Sequence, residues 1–269
     1  MVFAHTNKPV IDTKGRVHTF CCAVLGCWHV MGVTQAAGLS LKWFRALNGR
    51  GRVSRETADH IRHVARQLNH LLDKGIFVLT VNNDIDGAAP HYYVGSDYHS
   101  GGSTACALLE ALLGRAARIA LVVGNKNVLG HRQRLEGFQQ RMRQVRDFQL
   151  AAVIEHEDDD ILAYDAMCRL LREHPEIDAI SILAAGGYGV CRAVLQLPEE
   201  RRPLVIGFDT VPTTVEMMKK GLIKATIYQH PYRQGHTAIN KAFEYLVHGR
   251  RPDHEAYILK NEIKLLENL

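Results

Sequence analysis

The 269-residue sequence has no apolar run long enough to cross a membrane. The nearest, "FCCAVLGCWHVMGV" from Phe20 to Val33, falls short of the ~18 residues a span requires, and His29 interrupts it. Lys14 and Arg16 upstream and "QAA" downstream give it the outline of a signal-peptide core. It begins late and follows a polar stretch holding Asp12, which makes that the weaker reading. The six cysteines contain no C-x-x-C pair and no spacing with histidine that suits zinc. They are expected to be mostly buried thiols in a reducing compartment, which points to the cytoplasm. No Ser, His and Asp or Cys and His arrangement stands at a strand end as a nucleophile elbow would, so no enzyme activity is expected. No low-complexity tract argues for disorder.

What remains is a globular composition, 46% apolar and 23% charged, long enough for one large or two modest domains. The net charge of +5 is unevenly spread. Between Lys42 and Arg66 there are seven basic residues against two acidic ones. A polyanion-binding face and a solvated helix face both account for that excess.

From Leu71 onward, short apolar runs alternate with amphipathic segments. "GIFVLTV", "HYYVGSD", "RIALVVG", "LAAVIEH", "IDAISILAA", "PLVIGFD" and "KATIYQ" read as strands. "STACALLEALLG", "HRQRLEGFQQRMRQV", "DILAYDAMCRLLREH", "VCRAVLQL", "TTVEMMKKG" and "QGHTAINKAFEYLVHG" read as helices. Apolar strands separated by such helices predict right-handed β-α-β units and an α/β fold with a doubly covered parallel sheet. Ligands bind such sheets beyond the carboxyl ends of the strands. That puts Asn82 to Asp84, Asp97, Gly124 to Gly130, Gly186 to Tyr188, Asp209, Gln229 and His230 at the places that matter, although loop residues are polar for structural reasons too.

Two motifs fail on chemistry. "GNKNVLGH" (Gly124 to His131) has five residues between its glycines, and His131 stands where a phosphate loop has its lysine. "EHEDDD" (Glu155 to Asp160) carries acids whose directions diverge, and a helix macrodipole explains them better than a metal does. No cofactor is called for.

The loops "VNNDI", "YYVGSDYHSGG", "GHRQRLEGF", "GGYGVCRAV", "VIGFD" and "ATIYQHPYRQG" stand in the order and at about the spacings of the LacI family of bacterial transcription regulators. The chain resembles that family over about two thirds of its length. Upstream, "AAGLSLK" followed by "RALNGRGRVSRETADHIRHVARQLN" resembles the family's DNA-binding headpiece. Independently, Val33 to Ala37 suits a first helix, Gly38 a turn, and Ser40 and Ser54 helix N-caps. The resemblance implies a periplasmic-binding-protein-like sensor of two lobes with parallel sheets, preceded by a small all-α helix-turn-helix segment. It implies a sugar or polyol effector and a homodimer acting on double-stranded DNA, with no membrane partner. By position, Asn82, Asp84, Arg134, Asp209 and Gln229 fall on ligand-contacting positions. Gly187 and Tyr188 occupy a loop where relatives carry Asn or Asp, and Tyr188 is a candidate for stacking on a sugar face. Ser40, Leu41, Lys42, Arg45, Asn48 and Arg52 are the DNA-contacting candidates.

The chain departs from the family twice. Trp43 and Phe44 fill a space where headpieces have three residues, which rotates the rest of the recognition helix by about 100°. Then "LLDKGIFVLTV" follows "QLNH" at once, where a hinge helix and the first sensor strands are expected; about 70 to 100 residues are missing at ~30 per β-α-β unit. DNA binding is therefore expected to be impaired. The expected division is residues 1–30 unassigned, 31–70 a degenerate headpiece and 71–269 the sensor. Within the sensor, residues 71–97 form a partial N-terminal lobe, about 98–229 the C-terminal lobe and 230–269 a return segment. Gly75 to Asp97 is expected to lack neighbouring strands. "VHTFCCAVL" is strand-like and could replace one of them, but an internally deleted gene product is the plainer account. The rival functions are an exported sugar-binding protein of a transporter, a truncated regulator without function, and an α/β enzyme.

Overall fold

The computed structural model describes residues 2–6, 18–21, 28–32, 69–84, 91–126 and 128–269. Along the chain the strands are β1 (Val2–Thr6), β2 (His18–Cys21), β3 (Trp28–Gly32), β4 (Leu79–Val81), β5 (Tyr92–Ser96), β6 (Ala117–Val123), β7 (Phe148–Glu155), β8 (Ala179–Ile182), β9 (Leu204–Phe208), β10 (Ile223–Tyr228), β11 (Ala256–Leu259) and β12 (Glu262–Lys264). The helices from Tyr98 onward are α1 (Tyr98–Leu113), α2 (Leu129–Met142), α3 (Asp160–Glu173), α4 (Gly187–Val194), α5 (Pro212–Lys219) and α6 (Pro231–His248). They form an α/β protein of two compact units. The first holds the chain up to Ser96 together with His230–Leu259; the second holds Asp97–Gln229 and Lys260–Leu269.

The second unit is a sheet in the order β12-β10-β9-β8-β6-β7, parallel throughout except for β12. Parallel strands need crossover helices, and these cover both faces. One face packs Cys106, Leu109, Leu121, Phe138 and Ile206 between the sheet and α1 and α2. The other packs Val122, Met167, Ile180, Val190 and Met217 under α3, α4 and α5. Because both faces are covered, the strands read as continuous apolar runs in the sequence.

Local chemistry sets the ends of these helices. Asp97 caps α1 by accepting a bond from the Ser100 amide at 2.8 Å, and Gly114 ends it at φ +61°. Asp159 caps α3 through the amides of Ile161 and Leu162 at 2.7 and 3.0 Å. The acids of "EHEDDD" nearest α3 thus serve its N-terminus, as the macrodipole argument expects. Two glycines let α1 and α2 cross closely: a Cβ at Gly102 would lie 1.9 Å from the Arg134 carbonyl oxygen, and one at Gly137 2.0 Å from that of His99.

In the first unit the order is β11-β5-β4-β1-β3-β2. β11, β5 and β4 run parallel, whereas β1, β3 and β2 join antiparallel. The expectation that Gly75 to Asp97 lacks neighbouring strands is therefore corrected. β1 pairs with β4, opposing Phe3 to Leu79, while β5 flanks the other side. Three N-terminal strands extend the sheet, and the "HTFC" of "VHTFCCAVL" is β2, at its end. The described core here is small. Leu79, Val94 and Ala238 are buried with Phe77, Val81, Tyr92 and Tyr257 around them, and Phe77 stacks on Tyr245 of α6 at 4.4 Å. Apart from Met31 and Gly32, which end β3, and residues 69–70, the expected headpiece lies outside the described residues.

Candidate functional site

The carboxyl ends of adjacent parallel strands lie side by side, so residues that follow β9 and β10 must meet. Asp209 follows β9 in the left-handed region at φ +61°, a conformation Asp tolerates better than most residues. Its amide donates to the Ile227 carbonyl at 2.8 Å, and its own carbonyl accepts from the Thr226 hydroxyl at 2.9 Å, so the strained turn is held from both sides. Gln229 follows β10 and is buried; its Nε2 donates to the two Asp209 carboxylate oxygens at 3.2 and 3.1 Å. The pair presents a carboxylate fixed in direction.

Arg134 rises from α2, 6% exposed. Its Nη1 donates to the Leu183 carbonyl, just past β8, at 2.6 Å. The guanidinium lies 4.3 Å above the Phe208 ring and 5.1 Å from that of Tyr98. Phe208 directly precedes Asp209, so Arg134 packs on the strand end from which the Asp209–Gln229 pair follows. Arg134, Asp209 and Gln229 thus gather at the carboxyl ends of the neighbouring strands β8, β9 and β10. A rigid fork of donors beside an acid and an amide suits paired hydroxyl groups.

Gly187 and Tyr188 are not part of it. Gly187 begins α4 behind Gly186, whose φ of +80° makes the turn. Tyr188 is half-buried against the core face under α3, α4 and α5, opposite the face that carries α2, with Arg192 at 6.0 Å. Its ring packs against that core.

In the first unit, Asn82 follows β4 at φ +69° and is exposed. Its carbonyl accepts from the Tyr93 hydroxyl at 2.7 Å. Asp84 Oδ1 accepts from Thr80 Oγ1 at 3.0 Å and lies 2.8 Å from His91 Nε2. This cluster ties the end of β4 to the start of β5, which gives Asp84 a structural task alongside any ligand role. Ser40, Leu41, Lys42, Arg45, Asn48 and Arg52 lie outside the described residues.

Sequence reasoning missed a polar group around the rejected "GNKNVLGH" and "EHEDDD" motifs. The Asn125 amide donates to His131 Nδ1 at 3.3 Å, and the Asn125 side chain donates to Glu157. Burial first, then Arg134, pushes His131 down to about 3, which keeps it neutral. His156 is 1% exposed; burial lowers it too, and neither ring nitrogen has a hydrogen-bond partner. Burial raises the Asp158 carboxyl, while His156, the Ala185 amide and Arg134 pull it down. The amide lies near enough to favour the charged form, yet neither carboxylate oxygen completes a hydrogen bond. Glu157 and Asp158 are both left-handed, at φ +55° and +60°, which costs roughly 1–2 kcal/mol per residue. Among the described residues no group of three or more His, Cys, Asp or Glu is placed to hold a metal ion, and no helix is long and apolar enough to cross a membrane.

These features define a ligand-binding domain built on paired α/β units, with polar side chains gathered at the ends of parallel strands. Residues 60–250 match the periplasmic binding protein domain, and the chain belongs to that family, a family of binding proteins and not of enzymes. It is 25% identical over 175 residues to the D-allose-binding periplasmic protein of Escherichia coli, covering 62% of this chain and 56% of that protein. It is 26% identical over 183 residues to the ribose import binding protein of Bacillus subtilis, covering 66% and 57%. The chain thus spans little more than half the length of these curated relatives. Among solved structures, a glucose-galactose binding protein from Geobacillus stearothermophilus superposes with a TM-score of 0.69 at 28% identity, over 76% of this chain and 73% of that one.

Proposed function

We propose that the chain binds a neutral monosaccharide or polyol, without catalysis. The observation that carries this reading is the polar group at the strand ends of the second unit: Arg134 held over Phe208 at the end of β9, and the Asp209 carboxylate that follows, fixed in direction by Gln229. The relatives named for allose, ribose, and glucose and galactose support a sugar as the ligand class. Their names also favour a setting in which the chain delivers its sugar to a transporter.

The test is thermal unfolding and titration calorimetry with ribose, allose, glucose, galactose and arabinose. At ~100 times its dissociation constant, a ligand adds about 2.7 kcal/mol to stability. Arg134→Ala is expected to abolish the shift while the unliganded protein still folds. Equal shifts in variant and parent remove Arg134 from the site, and no shift with any sugar defeats the reading.

A second reading, a cytoplasmic LacI-type regulator acting as a homodimer, is favoured by one sequence observation, the headpiece-like "AAGLSLK" and "RALNGRGRVSRETADHIRHVARQLN". On it, sugar binding biases how two headpieces are presented to DNA. The shortened "SLKWFRALN" leaves Lys42, Arg45 and Arg52 charged, so duplex binding falls steeply with salt and discriminates little between sequences. Competition against a random-sequence pool measures this. A palindromic site bound at least about a thousandfold more tightly than bulk DNA would show an intact headpiece. Absence of binding even at low salt would leave the transporter setting.

A further inference from the structure

Helix α6 lies over β4 and β5 and turns Gln234, Ala238 and Tyr245 toward the core of the first unit. Ala238 is buried there, Gln234 donates to the Ser96 hydroxyl at 3.1 Å, and Tyr245 stacks on Phe77. At ~100° per residue, Tyr232, His236, Ile239, Phe243 and Val247 fall together on the opposite side. The solvent side of a surface helix is ordinarily polar. Here Tyr232 is 80% exposed, Ile239 63%, Phe243 47% and Val247 42%, in one stripe about four turns long. Single apolar residues at a surface need no partner, whereas a contiguous stripe marks a place of association.

The two ends of the stripe differ. At its start, Tyr232, Arg233, His236 and Thr237 line a groove of about 370 Å³ together with Leu259 at the end of β11, and the Tyr232 and His236 rings stack at 6.2 Å. At its far end stand the apolar side chains Phe243 and Val247. Groove and apolar end share one face on either side of Ile239, so a two-fold axis at Ile239 carries each onto the other, which is the condition for a self-complementary contact. In such an antiparallel pair Tyr232 comes opposite Val247 of a second copy and His236 opposite Phe243, while Ile239 meets its counterpart at the axis. The flanking charges fit this register. Arg233 and Glu244 lie on the same flank of the stripe, and antiparallel pairing brings like flanks together, so Arg233 of each copy approaches Glu244 of the other. Within one chain Glu244 pairs with Arg250 at 3.1 Å, an exposed contact that is cheap to exchange.

We propose that α6 is the surface through which two copies of this chain pair, antiparallel about Ile239, with Phe243 and Val247 of each copy seated in the groove at the start of the other's α6. The inference concerns the first unit and stands independently of the sugar-binding reading. One helix pair lies at the low end of interface sizes, below about 1,200 Å², so a weak, concentration-dependent dimer is expected.

Sedimentation equilibrium of the full chain from about 1 to about 300 μM tests it, and the parent should pass from monomer toward dimer across that range. Ile239→Glu sets two carboxylates against each other at the axis and should weaken pairing at least about tenfold. Arg233→Glu and Glu244→Arg, at the rim of the stripe, should each weaken it about two- to fivefold by facing like charges, and the double reversal should restore the parent's value. These rim variants keep the test decisive if Ile239→Glu folds poorly. A parent that stays monomeric throughout, or a dimer that Ile239→Glu leaves unchanged, overturns the proposal. So does a double reversal that pairs no better than the single ones, because the two charges would then not face each other.

Discussion

The two units solve the same problem with different amounts of covered surface. In the second, parallel strands are shielded on both faces, and residues such as Leu121, Phe138 and Ile206 are fully buried. In the first, three parallel strands give way to three antiparallel ones, and the described core gathers around Leu79, Val94 and Ala238 with half-buried neighbours. Parallel pairing is tolerated where helices cover both sides, and antiparallel pairing permits one face to meet water. The candidate residues of each unit, taken by themselves, follow the same difference. The second unit carries Arg134, Asp209 and Gln229, each held by packing or by a hydrogen bond. The smaller unit carries Asn82, exposed after a three-residue strand, and Asp84, engaged with Thr80 and His91.

The widest gap should appear on deleting the same side chain from each core. Leu→Ala in a buried site costs about 2–5 kcal/mol, more where the surroundings cannot collapse. Leu121→Ala is expected near the top of that range and Leu79→Ala near the bottom, each read by hydrogen exchange in its own unit. Equal losses would break the comparison. Next comes the crossing of α1 and α2. Gly102→Ala drives a Cβ into the Arg134 carbonyl and should cost about 1–3 kcal/mol. Because the clash is with the backbone of Arg134 itself, sugar affinity should fall along with stability. A destabilised variant of undiminished affinity would show that the site does not depend on this packing.

The second unit was readable from sequence for the same reason that it is stable. A strand covered on both faces must be apolar at consecutive positions, so "RIALVVG" and "PLVIGFD" announce β6 and β9. Strands β11 and β12 escaped notice because they are three or four residues long and alternate between half-buried and exposed positions. The extension of the first sheet by β1, β3 and β2 was hidden for another reason: pairing between residues as distant as Phe3 and Leu79 leaves no local pattern. At the site, strand order brought Asp209 and Gln229 together and required no more than the rule for parallel sheets. For Tyr188 the sequence indicated a loop residue just beyond a strand, whereas it already turns with α4 onto the sheet's other face. The buried turn at Asp158 left no mark in the sequence because the macrodipole explanation holds for Asp159 and Asp160 beside it; only the fold-back at Glu157 and Asp158 separates it from them.

Acid offers a smaller and more selective probe. With His131 near 3 in the folded chain against its ordinary 6.5, the unfolded chain binds more protons between those values. Stability is then complete above about pH 6.5 and declines as pH falls toward 3, at up to roughly 1.4 kcal/mol per pH unit for one proton. His156, lowered by burial, adds to the decline; Asp158, raised by burial, offsets part of it, because protonation relieves its buried charge. All three belong to the second unit, so its exchange protection should weaken across this range. His131→Gln should flatten the slope. A slope unchanged by that substitution would assign the acid sensitivity to other groups.

The smallest contrast is at two helix starts. Helix α3 begins with Asp159, whose carboxylate takes two otherwise unsatisfied amides, and Asp159→Ala should cost about 1 kcal/mol. Helix α6, in the first unit, has no such side-chain cap. It starts from His230 at φ +56°, followed by Pro231, which fixes the first helical φ and has no amide to satisfy. The imidazole does not cap this helix, and glycine accepts the left-handed backbone without a Cβ clash. At the helix start itself, His230→Gly should therefore lose no cap, the relief of strain being offset by the greater freedom of the unfolded chain, so that its cost should fall below that of Asp159→Ala. Denaturant midpoints at constant m-value measure both. If His230→Gly proved as costly as Asp159→Ala, the imidazole's contacts beyond the helix start would carry the cost, and the two helix starts would differ less in their demands on a side chain than their caps indicate.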